Sequence, residues 1–342
     1  MSKFNLLAKI EQVGLTGRGG AGFPVHQKWR RMLDHSAVQK YVVCNASEGE
    51  PGVKKDFYLL KNYPERVLQG MILAMDFLGT KEGYLYLNRD YYEQLKTRLD
   101  RALKTVNQHG FLINLFLENP SYIGGESGAL LNTIEGKKTQ PRNKPPSPSI
   151  TGINGKPVLL HNVETFYDVA LVARGEYRGE RLVTFAGVKH EGVQAVDESL
   201  TVAEVLRQTD NYPDFAFIAQ IGGGASGPVF NQEQLESEKL MGCGSVEIYP
   251  ADKPALELLN KWADFYNIES CGKCTPCREG SYQLRTWVNQ ALVTGQIDES
   301  FWQRALDLGK TMALSSICGL GQSLIIPLES YYLNVWQKNE RS

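Results

Sequence analysis

No segment of this 342-residue chain approaches the eighteen or more consecutive apolar residues of a membrane span. The densest apolar stretch, Met71-Ile-Leu-Ala-Met75, is of helix-core length. Neither sign of charge is in excess. Lys+Arg 37 against Asp+Glu 38 leave a net charge of −1, which removes the basic surface that nucleic-acid binding uses. The start, Met1-Ser-Lys-Phe-Asn-Leu-Leu7, lacks a signal-peptide pattern, so a cytoplasmic protein is expected. Cysteine is scarce. Six in a chain of this length do not make a disulfide scaffold. The length itself predicts two or three domains with a sizeable core.

The cysteine that is present is concentrated. Cys271-Gly-Lys-Cys274-Thr-Pro-Cys277 spaces three thiols by two residues each, and Cys318 follows in Ser316-Ile-Cys318-Gly-Leu-Gly321. Three thiolates on one tight frame can cap three corners of a cuboidal iron–sulfur cluster, with a distant fourth closing it. A zinc site is the alternative, but zinc favours paired two-ligand knuckles. Cys44 and Cys243 sit in apolar runs and read as buried, inert thiols.

Periodicity predicts an α/β amino-terminal part. Tyr41–Cys44, Gly83–Leu87 and Phe111–Leu117 read as strands, alternating with helices over 65–78 and 90–106, the pattern of a parallel sheet covered on both faces. Residues 137–157 read as a proline-rich loop, and Asn162–Ala173 as a helix. From Arg181 to about Ile248, short strands and a helix over 201–208 suggest a β-grasp module. Helices are predicted over 253–266, 279–293, 299–312 and 324–337, with the cysteine triplet in the turn between the first two and Cys318 in the turn before the last.

Four polar motifs punctuate the first half. Gly17-Arg-Gly19-Gly20-Ala-Gly22-Phe-Pro24 matches G-x-G-x-x-G, but a helix rather than a strand precedes it and the acidic residue of the dinucleotide fingerprint is missing. What survives is either a structural turn or a glycine loop that lets a phosphate or flat ring approach, with Arg18 and Lys28 adding positive charge. Asn45-Ala-Ser47-Glu48-Gly-Glu50 follows the first strand, where ligands of open α/β sheets gather. Asn45 can bond a flavin edge or ribityl chain, and Glu48 and Glu50 can order water or a nicotinamide amide. A solvated acidic turn is the alternative. Tyr122-Ile-Gly-Gly125-Glu126-Ser127-Gly128 opens a helix, a seat for an anion or ring or simply a strand-to-helix turn. Lys144, in the proline loop, is either solvated or a phosphate partner.

These segments, in this order, resemble the NADH-binding flavoprotein subunit of respiratory complex I, a subunit type that recurs in NAD-linked hydrogenases, formate dehydrogenases and electron-bifurcating complexes. Glu269-Ser-Cys271-Gly-Lys-Cys274-Thr-Pro-Cys277-Arg-Glu-Gly280 is the most specific match, with Pro141-Arg-Asn-Lys-Pro-Pro146 and Asn162-Val-Glu-Thr165 in support. The resemblance implies an FMN-binding α/β domain with a parallel sheet (1–178), an SLBB-type β-grasp domain (179–249) and a helical bundle holding a [4Fe–4S] cluster on Cys271, Cys274, Cys277 and Cys318 (250–342). It implies FMN contacts from Gly17, Arg18, Gly19, Gly20, Lys28, Asn45, Ser47, Tyr122, Gly125, Glu126 and Asn162. It places Phe23, Glu48, Glu50, Ser127 and Lys144 around an NAD(H) or NADP(H) site, with Glu48 and Glu50 as the candidate catalytic carboxylates. The implied reaction is hydride transfer between the nicotinamide and FMN, then single-electron transfer to the cluster. The implied partners are a small [2Fe–2S] subunit and a larger iron–sulfur subunit.

Departures from the family pattern cluster in the nucleotide pocket. Ser47 replaces a usual Asp, Ser127 a second Glu, and Arg31 and Ser147 two aromatics. Losing both aromatic surfaces would cost about 1–3 kcal/mol of stacking. Loss of the Ser127-position carboxylate removes repulsion against a 2′-phosphate. These changes also fit an alternative in which nucleotide binding is lost and FMN and cluster exchange electrons only with protein partners. A zinc-stabilised interaction module is the more distant alternative.

Overall fold

The computed structural model describes residues 3–107 and 110–338. Two compact units divide the chain. The first runs to Gly49 and resumes from Lys54 to Leu182, and the second takes Glu50–Val53 and everything from Val183.

In the first unit, α1 (Lys3–Gln12) and α2 (Val25–Asp34) precede β1 (Tyr41–Ala46). Then come α3 (Lys55–Asn62), α4 (Pro64–Leu78), β2 (Glu82–Asn88), α5 (Arg89–Asn107), β3 (Leu112–Glu118), α6 (Ser127–Ile134), β4 (Val158–Asn162) and α7 (Val163–Arg174). The four strands form one parallel sheet ordered β3-β2-β1-β4. β1 is an unbroken apolar run, Tyr41-Val-Val-Cys44, because a parallel strand with helices on both faces has no solvent side. The sequence does not announce β4. Val158-Leu-Leu-His-Asn162 is short and directly follows the proline-rich loop, and its pairing with β1 from Tyr41↔Val158 to Asn45↔Asn162 is a non-local choice.

The register has a functional consequence. Phe116, Tyr86, Asn45 and Asn162 occupy one row across the four strands. Partners in a parallel ladder point to the same face, so the carboxyl edge carries polar side chains in line.

The second unit opens with the end of β5 (Glu180–Ala186), followed by β6 (Gly192–Asp197), α8 (Val202–Gln208), β7 (Phe217–Ile221), β8 (Val229–Asn231) and β9 (Ser245–Pro250). Its sheet is mixed, in the order β6-β5-β9-β7-β8, with β5 parallel to β9 and β7 antiparallel to both its neighbours. α8 begins with a capping box, Thr201 with Glu204, and buries Val202, Val205 and Leu206 against Val183, Phe185, Phe217 and Ile221 of the sheet.

Helices complete the unit: α9 (Ala255–Glu269), α10 (Thr275–Thr294), α11 (Glu299–Ser315), α12 (Gly319–Ser323) and α13 (Ile325–Tyr331). Two expectations are corrected. α10 starts earlier than position 279, because Pro276 fits the first helical turn, where its missing N–H is no loss. The expected helix over 324–337 is interrupted. α12 and α13 abut at Leu324, and a π-helical turn at Tyr332–Trp336 follows. Trp302 of α11 packs on three rings there, Tyr331, Tyr332 and Trp336, at centroid distances of 5.8, 5.6 and 6.0 Å. Among the described residues no helix is long and apolar enough to cross a membrane.

Candidate cofactor sites

The glycine loop of the first unit is a closed hairpin. Thr16 bridges Pro24, Gly17 N–H donates to the Phe23 carbonyl at 2.9 Å, and Val25 N–H to that of Leu15 at 3.0 Å. Gly19 lies against the Asn162 side chain, and Gly20 turns the loop with φ of 100°. Arg18 faces inward. Its Nε pairs with Asp168 Oδ2 at 3.1 Å, a second guanidinium nitrogen donates to Tyr177 Oη at 2.8 Å, and its backbone N–H donates to Thr165 Oγ1 at 2.9 Å. The charge expected to meet a ligand here is therefore committed to fastening the loop onto α7. The loop's exposed cation is instead Arg31, whose guanidinium lies 5.1 Å from the Phe23 ring centroid.

α2 is held to β4 by Trp29 Nε1, which donates to His161 Nε2 at 3.0 Å, and by Lys28 Nζ, which donates to the Leu160 carbonyl at 2.9 Å. Burial, and then the nearby Lys144 ammonium, bring the Lys28 pKa down to about 8. Lys144 reaches this place because Arg142 anchors the proline-rich loop to α6, donating to Asn132 Oδ1 at 2.8 Å and to the Gly152 carbonyl at 2.9 Å. Two lysines that disfavour each other's charge are what an anion relieves.

At the carboxyl end of β1, Asn45 Nδ2 donates to the Gly125 carbonyl at 2.9 Å, and Asn45 Oδ1 accepts from Ser47 N–H at 3.1 Å. Only glycine fits at 125, because a Cβ there would stand 2.9 Å from the Ser47 carbonyl oxygen. Tyr122 precedes the 3-10 turn Ile123–Gly125. Glu126 caps α6, accepting from the N–H groups of Gly128 (2.7 Å) and Ala129 (2.9 Å), while Ser127 Oγ (3.0 Å) and Lys144 Nζ (2.7 Å) meet its other oxygen. The structure thus gathers Gly17–Gly20, Lys28, Asn45, Ser47, Gly125, Glu126, Ser127, Lys144 and Asn162 around the carboxyl edge and the loops that border it.

The two candidate catalytic carboxylates are placed differently. Glu48 caps α3. Its oxygens accept from Asp56 N–H (2.9 Å), Phe57 N–H (3.3 Å) and Tyr91 Oη (3.0 Å). Burial, with the Asp56 charge adding to it, raises its pKa. Glu50 belongs to the second unit, where one oxygen accepts from Ala225 N–H (3.0 Å) and Ser226 N–H (2.9 Å), and the other is buried without a hydrogen-bond partner.

Sequence reading missed a buried charge network on α3. Lys55 is 2% exposed, and its Nζ meets Asp56 Oδ1 (2.8 Å), Asn162 Oδ1 (2.9 Å) and Glu164 Oε2 (3.1 Å). Burial works against its charge, but Asp56, Glu164 and Glu48 together override it and raise its pKa. Asn162, an expected cofactor contact, is occupied here: it caps α7 through Glu164 N–H and donates to Asp56. Also missed was Glu118, the last residue of β3 and 2% exposed. The signal was available, a lone carboxylate ending the apolar run Leu112-Ile-Asn-Leu-Phe-Leu-Glu118.

In the second unit the thiols sit at helix starts. Cys274 is the N-cap of α10 and Cys318 that of α12. Cys277 falls inside the first turn of α10, not in the turn before it. Cys277 and Cys318 are buried, Cys271 and Cys274 half-buried. The Cys318 segment approaches Cys277 through Gly321, where a Cβ would lie 3.1 Å from Cys277 Cβ. Arg278 closes the triplet loop by donating to the Gly272 carbonyl at 2.9 Å, and Ser270 Oγ lies 3.5 Å from Cys277 Sγ. Burial, with Cys274 and Cys271 adding to it, pushes the Cys277 thiol up. Among the described residues, no three His, Cys, Asp or Glu side chains are grouped as a single-ion site. An open cavity of about 670 Å³ in this unit, beside β7 and β8, is lined by Tyr212, Phe217, Asn231 and Asn334 among others. None of the expected site residues lines it.

These features define a flavoprotein with a thiolate-held inorganic cluster, and the comparisons with known proteins agree. The Nuo51 FMN-binding domain matches residues 10–171, and the NADH-ubiquinone oxidoreductase-F iron-sulfur binding region matches residues 257–340. The chain is 34% identical over 359 residues to the alpha subunit of the NAD-reducing hydrogenase HoxS of Cupriavidus necator, covering 94% of this chain and 59% of that protein. It is 30% identical over 351 residues to the F subunit of the NADH-quinone oxidoreductase of Aquifex aeolicus, covering 94% of this chain and 82% of that protein. A crystal structure of NAD+-reducing [NiFe]-hydrogenase in the air-oxidized state superposes with a TM-score of 0.90 at 30% identity, over 99% of this chain and 63% of that one. The chain therefore spans less than two thirds of the hydrogenase proteins it matches. It belongs to the NADH-quinone oxidoreductase flavoprotein family, whose members are oxidoreductase subunits that carry FMN and a [4Fe–4S] cluster.

The residues present fit both groups. The mutually repelling Lys28 and Lys144, beside a glycine hairpin and the side-chain row of the sheet edge, suit a phosphate joined to a planar ring. Buried, mutually disfavoured thiols suit a cationic inorganic core that stabilises thiolate.

Proposed function

We propose that this chain is an electron-transfer subunit of a multi-subunit redox complex, passing hydride between a nicotinamide nucleotide and FMN and single electrons between FMN and the [4Fe–4S] cluster. Bound FMN supplies the change from two-electron to one-electron chemistry. The observation that carries this reading is the pairing of two cations with the polar carboxyl edge in one unit and the buried Cys277 and Cys318 thiols in the other.

Lys28 and Lys144 hold the phosphate, the hairpin backbone from Gly17 to Gly20 borders it, and Asn45 and Gly125 orient the ring. Glu48 acts by fixing α3, and Glu50 by fixing the Ala225–Ser226 backbone. Both serve as positioning carboxylates rather than as groups in contact with the nucleotide. Cys271, Cys274, Cys277 and Cys318 ligate the cluster. Residues 179–249 form an SLBB-type β-grasp domain and residues 250–342 the cluster domain. A small [2Fe–2S] subunit and a larger iron–sulfur subunit are the partners. The nucleotide is open to either coenzyme, since Ser127 carries only a hydroxyl, which it donates to Glu126.

Anaerobic titration of the FMN-loaded, cluster-containing chain tests this. NADH or NADPH bleaches the flavin band, and a reduced-cluster EPR signal follows. If neither nucleotide reduces the flavin while dithionite does, the proposal is wrong.

A further inference from the structure

The sheet edge carries one group that the proposed function leaves unused. Glu118 ends β3, and two residues before it Phe116 stands in the row Phe116–Tyr86–Asn45–Asn162. Alternation along a strand returns Glu118 to that same face. Tyr86 Oη donates to Glu118 Oε2 at 2.7 Å, and that oxygen also lies close over Gly124. The other oxygen, Oε1, is buried and has no hydrogen-bond partner. A carboxyl oxygen this enclosed and unpartnered is costly unless a donor meets it.

Its surroundings are those of the ring end of the site. Ser47 neighbours both Glu118 and Gly125, and Gly125 receives the Asn45 amide. The cations lie across the sheet. Lys28 bonds the Leu160 carbonyl of β4, and β4 and β3 are the two outer strands. Three strand spacings separate them, about 14 Å, the reach of a ribityl phosphate joined to a three-ring system. A phosphate at the lysines therefore directs the far edge of the ring toward β3. That edge of an isoalloxazine is its imide, a single N–H donor between two carbonyls.

We propose that Glu118 is the group that recognises the flavin, its unpartnered oxygen accepting from the imide N–H, and that the charge of this carboxyl makes the flavin potential depend on pH. This rests on the FMN reading above. Burial outweighs the help of Ser47 and Tyr86 and raises the Glu118 carboxyl to about 7, so both charge states are accessible near neutrality. Tyr86 of β2 is the titratable group that faces it, itself raised by burial and by Glu118. Ser47 after β1, and Ser121 and Gly124 of the turn, are neutral, and Thr133 of α6 stands behind Tyr86.

The test uses FMN and 3-methyl-FMN, whose imide nitrogen has no hydrogen, with the full chain as wild type, Glu118→Ala and Glu118→Gln. Wild type is expected to bind FMN about tenfold more tightly than the methylated analogue, the effect of one buried hydrogen bond, and Glu118→Ala to bind the two nearly equally. The flavin midpoint potential of wild type is expected to inflect near neutral pH, and that of Glu118→Gln, which keeps shape and an acceptor oxygen, to lack the inflection. Equal binding of both flavins by wild type, or the same inflection in Glu118→Gln, overturns the proposal and leaves the FMN reading standing. Failure of wild type to bind either flavin overturns both.

Discussion

The carboxyl edge of the parallel sheet and the thiol-bearing helix ends solve the same problem, how to hold functional groups in place, in opposite ways. At the sheet edge the side chains hold one another. Asn162, Lys55, Asp56 and Glu164 interlock, Glu126 caps its helix while receiving Lys144, and Arg18 is tied to Asp168. At the thiols the protein supplies little mutual attraction. Burial and neighbouring sulfurs disfavour ionisation of Cys277, and the inorganic core must supply the missing favourable term. One region is organised by the chain, whereas the other needs its cofactor.

The largest effect that would break this contrast is at the thiols. Cys277→Ser or Cys318→Ser should lower iron from about four per chain to near none, by metal analysis, with FMN retained. Zinc found at this site in place of iron would refute the cluster assignment.

Next in size, Lys55→Met leaves Asp56 and Glu164 buried without a counter-charge. A loss of about 3–5 kcal/mol is expected, read by urea unfolding, and Lys55→Met with Asp56→Asn should recover part of it. An unchanged midpoint would mean that the network does not organise the sheet edge.

Glu118→Gln should act in the opposite direction. The folded-state pKa is raised from 4.5 to about 7, so the folded state holds this proton more tightly than the unfolded one. The carboxyl therefore lowers stability progressively as pH rises from about 4.5 to 7. The amide removes that cost. The variant should gain at most about 3 kcal/mol at pH 8 and nothing near pH 4, by urea midpoints at both.

The smallest effect sharpens the role of the lysines. With the Lys28 pKa near 8, FMN affinity should fall by up to about tenfold between pH 7 and 9, and Lys28→Arg should flatten the dependence. Fluorescence titration across that range would show it.

Much of this was legible from the chain. The cysteine spacing, the helical periodicity of Val67 to Leu78 and the apolar β1 depend on local pattern, and local pattern survives into structure. What was hidden depends on partners distant in sequence. β4 exists because β1 offers an edge. Arg18 looked like a ligand cation because its nearest sequence neighbours are glycines, but Asp168 claims it. Lys55, next to Asp56 in a helix start, read as a solvated pair, and only the arrival of Glu164 and Asn162 makes it interior. The early start of α10 follows from Pro276, a local signal that the cysteine motif overshadowed.

The π-helical turn at Tyr332–Trp336 amounts to one surplus residue in an otherwise regular helix. Excising a single amino acid there would restore ordinary α geometry and swing everything beyond it by about 100°. Trp336 could no longer face Trp302, so the aromatic clasp that closes the carboxyl-terminal bundle depends on an irregularity, and helix-idealising redesign of this segment would undo it.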